Sequence, residues 1–457
     1  MASMLLILLS SLAFDSILNQ QWLDHAHVGM IVLDLERDSV IYANNSQKLL
    51  VPASNAKIVT SAAALMFLGQ DFRFKTRIGT DGHVRGSKLL GNVFVSGGGD
   101  PNFSLENLEQ FVNALKNRGI TEIEGNIILD DSYFTDERLP VGWAWHYLDA
   151  RYAAEVSALS LNRNVVNIHI ESTGPGQPAN VTIEPTTRYV KLVNNMVTKM
   201  GDDSIIIFRR PEANIIYVDG GIGFRNKRDI EVSVKNPTLY FGEFLKERLV
   251  ASNIRISGRC IEGTEASSHG MVATYNVIDS VLSPPMLEII KELNSESVNL
   301  FGEAILKTLG SHYRRDGSFL GGVSILKEFL RRCGVDTSLV AWYDGSGLSR
   351  HNLISPYDIA LVLRRMYHSD LFDTFYNLLP GPGEGTLIGR FNGLKGFLRA
   401  KTGTLHAVSC LSGYLNIDER YYCFSIMFNN FACPRKQIER TQEDLLEAIW
   451  AFLKEET

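Results

Sequence analysis

Ser54 and Lys57 stand three positions apart at the head of the apolar run "VPASNAKIVTSAAALMF", residues 51–67. Positions i and i+3 share one face of a helix, so the Lys57 amine can reach the Ser54 hydroxyl. A serine hydroxyl is a poor nucleophile until a neighbouring base takes its proton, and a desolvated or cation-flanked lysine can serve as that base. A helix N-terminus adds free N–H groups and a dipole that favour the negative charge developing on attack. Patterns this short also arise by chance. A second S-x-x-K, Ser324 to Lys327 in "GGVSILKEFLRRCG", reads as an ordinary surface helix, its serine following glycines and its lysine on a charged face.

Two further elements bear on the choice. "ELNSESVNLFGEAIL" carries Ser297-Val298-Asn299 just ahead of a helical apolar run, and "FLRAKTGTLHAVSCLSGY" carries Lys401-Thr402-Gly403-Thr404 entering a strand. Singly, the first also reads as a helix-start or turn pattern and the second as a strand entrance. In the order S-x-x-K, S-x-N, K-T-G they form the motif set of class A β-lactamases and penicillin-binding proteins. Together with "SGGGDPNFSLENL", "EIEGNIILDDSYFTDERLPVGWAWHYLDARYAAEVSALSLNRN", "NPTLYFGEFLKERL" and "DGSGLSR", they make the chain resemble the low-molecular-mass class C penicillin-binding proteins. The likeness is to the penicillin-binding protein 4 type of D-alanyl-D-alanine carboxypeptidase/endopeptidase. The gap from Lys57 to Ser297 is too long for a compact β-lactamase and is similar to that family's habit of inserting domains between the first two motifs. Ala154-Glu155, where the family pattern has Ala-Pro, departs from it inside the insertion.

The resemblance implies a role for each motif residue. Ser54 attacks the carbonyl of the penultimate D-alanine with Lys57 as its base. Ser297 relays a proton to the leaving amine, and Asn299 holds Lys57 and the substrate amide. Lys401, with the hydroxyls of Thr402 and Thr404, binds the terminal carboxylate, as a point cation beside two hydroxyls can. Gly403 lets substrate approach the strand backbone, and the N–H groups of Ser54 and Thr404 form an oxyanion hole. The implied ligands are peptidoglycan stem peptides, with β-lactam antibiotics as covalent inhibitors and no metal or organic cofactor. Two alternatives stay open at this point: a β-lactamase on the same scaffold and a non-catalytic wall-binding protein.

The elements that must position these residues lie at both ends of the chain. "GMIVLDLE" and "SVIYAN" alternate as half-buried strands do, a helix is expected from about Ser54 to Leu68, and "TQEDLLEAIWAFLKEET" reads as an amphipathic helix capped by Thr441. The fold expected is α+β: a penicilloyl-serine transferase (β-lactamase/transpeptidase-like) domain interrupted by a large, mainly β insertion. Residues 14–75 and 270–457 would form the catalytic part, 76–165 and 255–269 an inserted domain II, and 166–254 a β-rich domain III. Residues 1–13, "MASMLLILLSSLA", have the apolar core and small-x-small end of a signal peptide, which predicts a periplasmic or otherwise extracytoplasmic protein.

Bulk properties fit this frame. A chain of 457 residues exceeds one comfortable core, and 45% hydrophobic with 21% charged residues is ordinary globular composition. The formal charge of −6 gives no electrostatic reason for a nucleic-acid partner. Five cysteines, odd in number and without ligand spacing, define neither a disulfide framework nor a zinc site. "SGGGD" lacks the Gly-Lys-Ser/Thr of a phosphate loop and reads as a tight turn. Asp130-Asp131 reads as a turn at a strand end, His406 as a strand residue beside the site, and Asp344 and Arg350 as shaping a nearby loop.

Overall fold

Strands from the two ends of the chain build one antiparallel sheet in the order Leu398–Leu405, Val408–Ile417, Arg420–Asn429, His27–Asp34, Ser39–Asn44. This is seen in a computed structural model that describes residues 14–263, 265 and 274–456; the leader, 264 and 266–269 of the expected domain II, and 270–273 and 457 of the expected catalytic part lie outside the described residues. Side chains alternate between two cores. Ile31, Cys410, Tyr414, Cys423 and Met427 face a cluster of helices, while Met30, Val32, Leu411, Phe424 and Ile426 face the C-terminal helix.

Because both faces are covered, the strand His27–Asp34 is buried along its last six residues rather than half-buried. Its one charged residue there, Asp34, accepts from Glu36 N and Arg37 N and pairs with Arg420 at 2.9 Å. The C-terminal helix also differs from the sequence reading. It starts at Arg435, directly after Pro434, so Thr441 is an interior residue whose hydroxyl donates to Gln437 O at 3.0 Å. Leu445, Leu446, Ile449 and Leu453 form its buried stripe as expected, with Trp450 only partly buried.

The helix Ala56–Phe67 lies inside the other layer, buried continuously from Ala56 to Leu65. Its small residues, Ala62, Ala63 and Ala64 among them, propagate a helix well and let neighbouring helices approach closely. It ends where Gly69 turns to φ +84° and its N–H meets Ala64 O. The helices Met286–Ser295, Asn299–Arg314, Phe319–Arg332 and Pro356–Tyr367 contribute to the same core around it. Ser324 and Lys327 sit half-buried on Phe319–Arg332, the serine bonding its own helix at Gly321 O.

Between the nucleophile helix and Met286 the chain is mainly β and shares a separate core. One five-stranded sheet runs Cys260–Glu262, Ile127–Asp130, Val93–Ser96, Lys75–Thr80, Asn276–Leu282. Smaller sheets are built on Val165–Glu171 and Ile215–Gly223. Two elements cross the boundaries drawn from sequence. Asn276–Leu282, placed there in the catalytic part, pairs with Lys75–Thr80. The helix Pro237–Ala251, placed there in domain III, packs through Gly242 onto Leu129 of the five-stranded sheet. "SGGGD" is a tight passage after Val93–Ser96: a Cβ on Gly97 would fall 2.2 Å from Ala158 O.

Candidate active site

Ser54 sits in a single 3-10 turn, Ala53–Asn55, that leads into the helix Ala56–Phe67. In such a first turn the N–H groups have no partner within the helix, so the Ser54 N–H is available to a ligand. The turn is held from two sides. Asn55 Nδ2 donates to Ser412 Oγ at 2.6 Å, and Gly403 backs directly onto it. A Cβ on Gly403 would lie 2.7 Å from Pro52 O and 3.0 Å from the Ser54 and Asn55 nitrogens. This amends the sequence reading: the side chain that Gly403 lacks would strike the nucleophile's own turn. Gly403→Ala should therefore displace Ser54 and lower its acylation rate by about 10²-fold, as ångström-scale misplacement does. Fluorescent-penicillin labelling rates measure this directly; a rate within twofold of wild type would mean the turn yields without harm.

Lys57 is fully buried, and its Nζ has three neighbours: Ser54 Oγ at 2.9 Å, Asn299 Oδ1 at 2.6 Å and Ser346 O at 2.8 Å. Asn299 is oriented by its own amide, whose Nδ2 donates to Tyr152 O at 2.8 Å. A carbonyl can only accept, so Nδ2 faces Tyr152 and Oδ1 faces Lys57. A neutral amine has two N–H groups and one lone pair. Two acceptors, Asn299 Oδ1 and Ser346 O, take the N–H groups, which leaves the lone pair for the Ser54 hydroxyl.

Ser346 belongs to a loop built on two buried carboxylates. Glu303 accepts from Gly345 N and Ser346 N, each at 2.8 Å. Asp344 accepts from Gly347 N, Ser349 N and Asn352 Nδ2, and from Trp143 Nε1 of the insertion at 3.0 Å. Asp344 thus organises the loop, as expected. Glu303 was missed by the motif reading, although the sequence carries a signal. It lies four residues after Asn299, on the same helix face, as a charge amid "LFGEAIL".

Lys401 Nζ, also buried, donates to Ser297 Oγ at 3.0 Å and Thr402 O at 2.9 Å. Ser297 itself has φ +58°, which turns its side chain back toward the strand just before the helix Asn299–Arg314 begins. Leu398–Leu405 is an edge strand. Its Ala400 N–H bonds outward to Pro380 O, and N–H groups alternate along an antiparallel strand. The Thr402 and Thr404 backbone groups therefore point to the open side. That edge, Ser54, Ser297 and Asn299 line one cleft of about 510 Å³. His406 also borders it, from the turn that follows the strand rather than from the strand itself, and its carbonyl accepts from Arg350 at 2.7 Å. All eight residues picked from sequence thus meet in one place.

Electrostatics sets the amines apart from ordinary lysines. Burial pushes the Lys57 amine down to about 7, against the upward pull of Asp344 and Glu303. Burial pushes Lys401 well down too, and the charge of Lys57 adds to it. Burial, and then Asp344, push the Glu303 carboxyl up to about 8. Two cations so close in a dry site oppose each other, so a carboxylate arriving at Lys401 would favour the ammonium there and the neutral amine at Lys57.

The chain matches the D-Ala-D-Ala carboxypeptidase 3 (S13) family over residues 11–449. It is 29% identical over 440 residues to the D-alanyl-D-alanine carboxypeptidase of Actinomadura sp. (strain R39), covering 92% of this chain and 81% of that one. Its fold is similar to the crystal structure of penicillin binding protein 4 (dacB) from Haemophilus influenzae, with a TM-score of 0.85 at 22% identity over 96% of this chain and 99% of that one. A second structure of that Haemophilus protein, complexed with a β-lactam, matches with a TM-score of 0.79 at 20% identity over the same shares of the two chains.

Proposed function

The chain belongs to the D-Ala-D-Ala carboxypeptidase 3 (S13) family, and from that membership we propose how its cleft divides the work. The substrate is a peptidoglycan stem peptide ending in D-alanyl-D-alanine. The peptide adds alongside the open edge at Thr402–Thr404 by backbone pairing, with its terminal carboxylate at Lys401 and the Thr402 and Thr404 hydroxyls. Lys57 takes the Ser54 proton as Oγ bonds to the penultimate carbonyl carbon, and the N–H groups of Ser54 and Thr404 hold the oxyanion. The C–N bond then breaks, and the proton returns through Ser297 to the departing D-alanine amine. Water attacks the resulting ester to release the shortened peptide and free Ser54.

A β-lactam enters the same path, but its leaving amine stays tethered to the acyl group, so the ester persists. Cross-linked D-alanyl peptides are a further substrate of the same cleft. Peptidoglycan lies outside the cytoplasmic membrane, and we assign the protein there; no helix among the described residues is long and apolar enough to cross a membrane.

The observation that carries this reading is the neighbourhood of Lys57 Nζ, where two carbonyl acceptors leave a lone pair for Ser54. It predicts a pH dependence. The base must be unprotonated, so acylation should rise with pH through about 7 and level off above it. Benzylpenicillin acylation rates between pH 5 and 9 measure this. A flat profile would mean that Lys57 does not take the proton.

A further inference from the structure

A second cavity, of about 540 Å³, lies at the opposite end of the nucleophile helix from Ser54. The 12 residues of Ala56–Phe67 alone separate the two by ~18 Å at 1.5 Å per residue. Four cations line it: Arg73, Lys75 and Arg77 from the start of the insertion and Arg315 from the end of the helix Asn299–Arg314. The first three alternate in "FRFKTR", and strand alternation sends Lys75 and Arg77 to one face of Lys75–Thr80.

These charges are not consumed by the fold. Among the described residues, Lys75, Arg77 and Arg315 form no ion pair or side-chain hydrogen bond, and Arg73 spends one N–H on Ser283 O at 2.7 Å. The one carboxylate in the lining, Asp130, is already engaged by Ser96 Oγ and by the N–H and hydroxyl of Ser132. Ser311 and Tyr133 add hydroxyls to the wall. So strong a local excess of positive charge runs against the chain's net charge of −6, and composition does not produce it. Guanidinium groups around a concave wall are suited to anions with several oxygens.

From this juxtaposition of four cations around a cavity remote from the catalytic cleft, we infer that the protein has a second binding site, for a multiply charged oxyanion bearing phosphate groups or clustered carboxylates. Pyrophosphate and tricarballylate separate the two chemistries as probes. Each is titrated calorimetrically into protein whose catalytic cleft has first been blocked with benzylpenicillin, at low and at physiological salt. At least one probe should bind saturably, more weakly as salt rises. The double variant Arg77→Gln/Arg315→Gln should bind it at least tenfold more weakly, with penicillin acylation unchanged. Lys75→Gln, at an exposed position, should weaken it several-fold and guards against a folding defect in the double variant. Binding of pyrophosphate alone marks the site as one for phosphates, and of tricarballylate alone as one for carboxylates. Saturable binding of neither, or binding equal in wild type and variants, overturns the inference.

Discussion

Replacing Lys57 by methionine should lower the rate of Ser54 acylation by benzylpenicillin by about 10³–10⁴-fold, the upper part of the range for a positioned general base. Methionine matches the length of the stem and suits a site with no solvent exposure, so the loss reads chemistry rather than collapse. It leaves Asn299 Oδ1 and Ser346 O without their donor, which makes a modest fall in thermal stability part of the expectation. Raising the pH should not rescue the rate, because no amine remains against Ser54 Oγ to deprotonate. Labelling rates and a thermal melt on the same preparation measure both effects. A loss below tenfold would hand the proton to another group lining the cleft, such as Ser297 with Lys401 behind it.

Lys401→Met should act differently, by separating substrates. A peptide with a free D-alanyl carboxylate should lose about 10²–10³-fold in kcat/KM, since removing one member of a buried ion pair costs about 3–5 kcal/mol. An ester or amide analogue lacking that carboxylate should lose much less. Parallel kinetics on the acid and its amide check both points. Equal losses for the two substrates would mean that Lys401 does not bind the carboxylate.

Much of the site was legible because its determinants are local. Ser54 and Lys57 share a helix face, Ser297 and Asn299 flank a helix start, and Lys401 to Thr404 lie along one strand. What was not legible depends on neighbours remote in sequence. Gly403 serves a contact with Pro52 and Ser54 that no strand pattern records. The second acceptor on Lys57 is a backbone carbonyl, Ser346 O, which any residue type could supply. Glu303 announced itself only as a charge in an apolar helix.

The fold errors have equally specific causes. "TQED" imitates a helix start, yet the helix begins at Arg435, directly after Pro434, a residue suited to the entry of a helix but not to its interior. "GMIVLDLE" looks half-polar through Gly29, Asp34 and Glu36, but Glu36 lies beyond the strand and Asp34 is buried because its own turn and Arg420 satisfy it. Asn276–Leu282 was grouped with the catalytic part because nothing in its own residues says which strand it joins; in the structure it pairs with Lys75–Thr80.

The central claim is that Ser54 forms a covalent acyl-enzyme. Intact mass after incubation with benzylpenicillin, followed by peptide mapping, tests it on wild type and Ser54→Ala. A stable adduct on the peptide containing Ser54, absent from the variant, is the result predicted. An adduct that persists in Ser54→Ala, or an unmodified wild type beside unconsumed penicillin, would contradict it, while an unmodified protein that rapidly destroys the drug would make it a β-lactamase instead.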